Sequence, residues 1–336
     1  MLKETPLIWR VVALCILLVS AVALNLCLGD VLFTPPQVFS ALFDPHATVS
    51  PAGLIDIIWQ IRVPRILIAM LVGTALSASG FILQTLSRNQ LADPYLTGVS
   101  SGAGLAIAAA MFFQLQFSLI PFAAFAGGFI ASVLVALMSR SPSGLSVTRL
   151  LLSGVGLSAI CGAFITLVIT NAPSVGQSQG LFFWLAGGIA GRTWDELTPA
   201  ACYTAVGLII AIVMSKQLRL LALGSQSAQA LGLDVAKAQW TLLLAAVLLC
   251  GAAVSVSGLV GFVGLIAPHL SRRCFGRDER LQLACAATIG MVLVLISDLA
   301  ARTLGQGQEL PLGTLLSLTG GPFFLTLVCR QKSESL

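Results

Sequence analysis

The chain has 336 residues, of which 9% are charged and 57% hydrophobic, with a formal net charge of +5. A soluble domain carries about a quarter charged residues, so a soluble fold, which could not cover its surface, is excluded. Successive apolar runs of roughly 17 to 25 residues, each matched to about 30 Å of hydrocarbon, read as an all-α polytopic membrane protein. The cations sit in separate short loops, which reads as orientation signalling and argues against a nucleic-acid partner.

In chain order, MLKETPLIWR followed by Val11 to Leu28 has the charge order of a signal peptide. Its apolar run exceeds the roughly 7 to 15 residues of such a segment, and Asn25 to Asp30 is a poor cleavage site, so a retained first helix is expected. Ten spans follow: 8–28, 64–86, 98–113, 118–138, 149–170, 197–215, 238–257, 259–270, 281–300 and 311–329. The eighth is short and glycine-rich and should dip or break. With both termini cytoplasmic, this topology puts every Lys and Arg inside except Arg62, Arg65, Arg192 and Arg302.

An internal repeat supports that count. LVGTALSASGFI (Leu71 to Ile82) aligns without gaps on LCGAAVSVSGLV (Leu249 to Val260), pairing Gly73 with Gly251 and Gly80 with Gly258. The copies fall in spans two and seven, which cross in opposite directions, the pattern of inverted-topology repeats in transporters. Spans 2–5 and 7–10 are the expected halves. Small residues four apart, Ala69, Gly73 and Ser77, then Gly154, Ser158 and Gly162, mark faces for close helix packing.

Several stretches carry candidate chemistry. Arg62 and Arg65 flank Pro64 at an expected helix start, either as lipid-headgroup contacts or as a docking patch for an acidic partner. Asp298 precedes Arg302 by one helical turn, and Glu309 stands at the start of the tenth span. In the polar cytoplasmic loop, Ser225 to Leu231 reads as a short helix, capped by Ser225 or Ser227 and stopped by Gly232, that fits a partner's groove. From Gly258 to Arg280, an apolar segment punctuated by Gly258, Gly261 and Gly264 ends at Pro268 and turns cationic at Arg272, Arg273, Arg277 and Arg280, an orientation lock. No lysine follows a P-loop glycine pattern. Two histidines, His46 and His269, make a zinc site unexpected. Eight cysteines without a C-x-x-C pair read as small buried hydrophobes.

Together, RVPR, RNQLADPYLTGVSSGAG, LLALGSQSAQALGL, SGLVGFVGLIAPHLSRR, SDLAAR and ELPLGTLLSLTGGPFF resemble, in order, the FecCD-type permease subunits of bacterial importers for iron–siderophores, haem and cobalamin. The resemblance runs from about Ile61 to Leu327 and implies a single permease domain of ten transmembrane helices over residues 1–336. It further implies a dimer with a second permease subunit, the path lying between them. Two cytoplasmic ATPase subunits and an extracytoplasmic substrate-binding protein are implied as partners, in the inner membrane.

Under this resemblance Arg62, Arg65 and Arg302 dock the binding protein, with Asp298 orienting Arg302. Leu223, Gly224, Ser225, Ala228, Ala230, Leu231 and Gly232 belong to a coupling helix at about 221–234. Asn89, Gln90 and Leu91, and across the path Val147 and Thr148, form a cytoplasmic gate; many members have Pro where Gln90 stands and a small hydroxyl residue where Val147 stands. No catalytic residue, metal or cofactor belongs to this chain: ATP and Mg sit on the ATPases and iron travels within the substrate. A ferric siderophore is the expected cargo, with haem and cobalamin as alternatives. An ion-coupled secondary transporter is the reading from another class, and it lacks ionisable mid-membrane candidates.

Overall fold

The structure, a computed structural model, describes residues 6–29, 31–43, 53–141, 144–172, 174–275, 279–305 and 309–334. Helix α1 (Leu7–Cys27) lies at the periphery and buries only Ala21 and Asn25. A short helix α2 (Pro35–Phe43) follows. The next, α3 (Leu54–Ser87), is the central pillar: 34 residues long and buried over most of its length.

Helix α3 starts well before Pro64, contrary to the sequence expectation. Its turns at Ile57–Arg62 are π-helical, so the carbonyl that Pro64 would serve in that pattern is five residues back, at Trp59. That oxygen instead accepts from the indole N–H of Trp194 at 2.9 Å, which lets the helix run through a residue with no N–H of its own.

Beyond a 3-10 turn at Pro94–Thr97 come α4 (Val99–Phe112) and α5 (Ile120–Met138). A two-residue hairpin, β1 (Arg140–Ser141) on β2 (Gly144–Leu145), then interrupts the all-helical plan. It is fastened to the later helix by Leu145 N donating to Gln239 Oε1 at 2.9 Å. Then come α6 (Val147–Thr170), α7 (Val175–Ala186) and α8 (Trp194–Val213). Short helices α9 (Ser215–Ala222) and α10 (Ser225–Ala230) precede α11 (Val235–Ser257), α12 (Val263–Phe275), α13 (Glu279–Leu304) and α14 (Leu312–Glu334).

Each of the ten expected spans coincides with a helix, and among the described residues seven helices are long and apolar enough to cross a membrane. The seven are α1, α3, α5, α6, α8, α11 and, as Leu281–Leu304, α13; α4 and the Leu312–Thr326 part of α14 are shorter apolar helices. Helices α2 and α7 were not anticipated. In α7, a serine cap (Ser174 Oγ accepting from Gln177 N, 3.3 Å) and Gly187 at φ 75° bound one short run.

The glycine pattern is spent on close packing. A Cβ on Gly73 would enter the Gly290 backbone of α13, and one on Gly80 would enter the Gly264 backbone of α12, so α3 meets both helices main chain to main chain. The repeat diverges at its end. Gly80 continues a helix, whereas its counterpart Gly258 takes φ 64° and ends α11.

The following helix does not stop at Pro268, as expected, but carries it internally and runs on through Arg272 and Arg273. The carbonyl orphaned by Pro268, that of Gly264, accepts from Gln84 Nε2 at 3.2 Å. Arg277 lies outside the described residues.

The cysteines depart from expectation in part. All eight are free; Cys161, Cys250 and Cys285 are buried, while Cys15, Cys202 and Cys329 are exposed on apolar helices.

Candidate functional site

Two groups of polar residues sit at opposite ends of α3. At its Arg65 end a charge cluster joins the two repeat halves. Arg65 Nε donates to both carboxylate oxygens of Asp298 at 3.1 Å, and Nη2 reaches Oδ1 at 2.8 Å. Its outer edge takes Glu309, Nη1 to Oε1 at 2.7 Å and Nη2 to Oε2 at 3.0 Å. Asp298 is 1% and Arg65 7% exposed, whereas the Glu309 side chain is 36% exposed. A buried arginine needs such saturation, since an unpaired charge in this setting is strongly unfavourable.

Arg302 closes the cluster from the next turn of α13. Its Nε lies 3.3 Å from Asp298 Oδ2, and its Nη2 donates to Asn25 Oδ1 at 2.5 Å. Asn25 also donates to the Leu295 carbonyl at 3.1 Å, tying α1 to α13. Arg62 donates to the carbonyls of Leu26 and Val31 and stacks over the Phe33 ring, 4.4 Å from its centroid. Arg62, Arg65 and Arg302 are thus brought together, but their guanidinium groups face into the chain. All three arginines are buried and internally engaged within this chain. Arg65 is saturated by Asp298 and Glu309, and Glu309 is its only solvent-accessible partner among the described residues.

Beside the cluster opens a cavity of 830 Å³, lined in part by Arg65, Asp298 and Glu309, by residues of α7, and by the loop that follows it. Arg192, on that loop, has its Nη1 3.7 Å from Glu196 Oε1. Burial lowers its pKa, against the nearby carboxylate, and an arginine remains charged at neutral pH regardless.

At the Ser87 end, Arg88 caps α3 in the left-handed region (φ 52°) and its guanidinium lies against Gly224. Gly224, at φ 108°, is the N-cap of α10, so Ser225 is the first helical residue rather than the cap, and no side chain caps this helix. Gly232 at φ 84° ends the turn after Leu231. Ala228 is fully buried in the main core; Leu223, Ser225, Ala230 and Leu231 are exposed.

Next to Arg88, Asn89 turns the chain by accepting from Leu91 N at 2.9 Å, and Gln90 is exposed. Val147 shares a small crevice with Leu86 and Ser87, and Thr148 is exposed beside it. Of the five expected gate residues, Val147 is thus beside the last turn of α3, and Gly224 of the loop helices lies against Arg88.

Sequence reasoning missed Asn25, Gln84 and Arg272. Arg272, expected only as an orientation charge, donates to Gln84 Oε1 and lies over the Phe81 ring. A polar residue inside an apolar run was the available signal for Asn25 and Gln84.

A helical multi-pass chain of this kind, with a charged cluster at one end of its central helix and a glycine-flanked loop helix at the other, is built as a transporter permease. A family model described as the FecCD transport family matches residues 16–330, and the chain belongs to that family, as a permease subunit of an ABC importer. It is 41% identical over 286 residues to the hemin transport system permease protein HmuU of Yersinia pestis, covering 82% of this chain and 84% of that one. It is 34% identical to the Fe(3+)-citrate import system permease protein YfmE of Bacillus subtilis, covering 97% and 96%. A solved structure described as a metal-chelate type ABC transporter in an inward-facing conformation matches with a TM-score of 0.84 at 32% identity, covering 95% of this chain and 98% of that one.

Proposed function

We propose that this chain forms the membrane path of an ATP-driven importer of an iron chelate, a ferric siderophore, in the bacterial inner membrane with both termini cytoplasmic. The observation that carries the mechanism is the single rigid helix α3, with the Arg65 cluster at one end and the Arg88–Gly224 contact at the other. Force applied to α9 and α10 by an ATPase reaches the gate residues Asn89, Gln90 and Leu91 through one bonded turn. The chain acts without a cofactor of its own: ATP and Mg bind the two ATPase subunits, and iron stays within the cargo.

A second permease subunit completes the path, over helix α6, whose apolar face (Leu152, Val155, Ile160, Phe164) is largely uncovered. The extracytoplasmic binding protein docks at the Arg62, Arg65 and Arg302 end. Because Arg65 is already engaged, an incoming carboxylate competes with Glu309, the exposed partner. Haem is the second reading, favoured by the relative named for hemin transport.

The test is uptake into proteoliposomes carrying this chain, its ATPase and its binding protein. ATP-dependent accumulation of a ferric siderophore is expected. Uptake that persists without the ATPase and follows a proton gradient would overturn the reading in favour of a secondary transporter.

A further inference from the structure

Each repeat half contains a helix too short to cross the bilayer by itself. Helices α4 and α12 have 14 and 13 residues, about 20 Å against about 30 Å of hydrocarbon. Each is entered through a residue in the left-handed region, Gly98 at φ 82° before α4 and Phe262 at φ 67° before α12. Glycine takes that conformation freely, whereas a bulky side chain is an outlier there. Phe262 is held from α14, where its ring fills the place that a Cβ on Gly320 would need. The α11–α12 break, residues 258–262, is a strained connection fixed from outside.

Tyr95, in the 3-10 turn of the other half, supplies the second fixing. Its hydroxyl accepts from Val260 N at 2.8 Å and donates to the Val260 carbonyl at 2.9 Å. Val260 is 1% exposed, and among the described residues nothing else hydrogen-bonds its main chain. Buried main-chain groups without partners are strongly unfavourable, so one hydroxyl holds the break in shape. The turn is seated on two further helices, the Pro94 ring against Gly264 of α12 and the Leu96 carbonyl against Gly154 of α6. It directly continues the segment that carries Asn89, Gln90 and Leu91. On its other side the break is bonded onward: Gly188 N donates to the Ser257 carbonyl at 2.8 Å, and Gly313 N to the Gly187 carbonyl at 3.3 Å. These bonds reach the end of α7 and the start of α14, beside the Arg65 cluster.

We propose that Tyr95 is a positioning residue for transport. Its hydroxyl joins the Asn89–Leu91 segment to the α11–α12 break and, through Ser257 and Gly188, to the end of α7, so that the Ser87 and Arg65 ends of the chain change together. It rests on the importer reading for ATP as the driver, and on the hydrogen bonds alone for the linkage.

The experiment compares the complete transporter in proteoliposomes as wild type, Tyr95→Phe, which keeps the ring, and Ser79→Ala. The last also loses a buried hydrogen bond, to the Ala246 carbonyl at 2.7 Å, but leaves the break intact. Two quantities are read: uptake per ATP hydrolysed, for whichever of radiolabelled ferric citrate and hemin the wild type accumulates, and amide exchange by mass spectrometry in peptides covering 258–262 and 187–188. Tyr95→Phe is expected to speed exchange in both peptides about 3- to 10-fold and to lower uptake per ATP about 3- to 10-fold, whereas Ser79→Ala changes neither. Unchanged exchange at 187–188, or unchanged uptake per ATP, overturns the proposal even where the unfolding temperature falls, since that fall alone marks a structural role. If Tyr95→Phe does not fold, Phe262→Gly loosens the break from its α14 side; exchange at 187–188 that stays at the wild-type rate in that variant overturns the linkage equally. A wild type that needs no ATPase, or takes up neither probe, sinks the importer reading, and the exchange arm then decides the linkage.

Discussion

Arg65 and Asp298, 233 residues apart in sequence, meet through three hydrogen bonds of 2.8 to 3.1 Å inside the protein. They belong to helices of opposite repeat halves, so the contact fastens one half to the other at a single end of α3. Removing Asp298 leaves a buried guanidinium with less than its full complement of acceptors, at a cost of about 3 to 5 kcal/mol. Asp298→Ala is therefore expected to lower the unfolding temperature sharply. Arg65→Met combined with Asp298→Leu, which removes both charges, is expected to recover part of the loss, the rest remaining because buried Arg302 still loses its carboxylate. A double variant as unstable as the single one would show that the pair is not the fastening.

Glu309 is the accessible half of the same cluster. Glu309→Gln keeps the shape and weakens the hold on Arg65, so association with the binding protein at low salt is expected to tighten about 3- to 10-fold, with a steeper salt dependence. Surface plasmon resonance on nanodiscs measures it. Unchanged affinity across salt would mean that no incoming carboxylate competes at Arg65.

What sequence could and could not reveal follows range. Apolar length marked the ten helices, and the one-turn spacing of Asp298 and Arg302 marked their pairing, because both are local signals. Which acid serves Arg65 was not legible, since the partner is set by how α3 and α13 cross at Gly73 and Gly290. Burial of Arg62 and Arg65 was hidden for the same reason: charge order says which side of a bilayer an arginine prefers, not whether another helix covers it. Pro64 and Pro268 misled for a different reason. Each lacks an N–H, but Trp194 and Gln84 serve the carbonyls at Trp59 and Gly264, and both helices continue.

The glycines of α3 make a graded prediction. Gly80→Ala drives a methyl into the Gly264 backbone, which cannot yield as a flexible side chain would, and is expected to cost about 2 to 3 kcal/mol. Gly156→Ala on α6 meets nothing within 4 Å in the subunit and should leave its unfolding temperature unchanged. Equal effects of the two substitutions would remove the main-chain contact as the reason for glycine at position 80.

At the coupling end, stability and function are expected to separate. Gly224→Ala must hold a side chain at φ 108°, a strain of about 1 kcal/mol or more, and crowds Arg88. Leu231→Ala removes an exposed side chain and should not change unfolding. If α10 is the ATPase contact, Leu231→Ala lowers uptake per ATP hydrolysed with the fold intact. Normal coupling in both variants would place the ATPase contact elsewhere.

The sharpest test of local chemistry lies at Gln84. Its amide N–H serves the Gly264 carbonyl that Pro268 cannot reach, and its Oε1 accepts from Arg272. Gln84→Leu takes the side-chain donor from the Gly264 carbonyl and one acceptor from Arg272, which keeps longer contacts to the Phe81 carbonyl and Thr85 Oγ1, and is expected to cost about 1 to 3 kcal/mol. Pro268→Ala restores an N–H four residues beyond Gly264, the helix's own donor for that carbonyl. The two substitutions should therefore be non-additive: Gln84→Leu is milder in the Pro268→Ala background by about 1 kcal/mol. Thermal unfolding of the four proteins in one detergent gives the cycle. Strict additivity would show that Gln84 and Pro268 do not share the Gly264 carbonyl, and that Arg272 alone explains why a glutamine stands in the middle of the packed core.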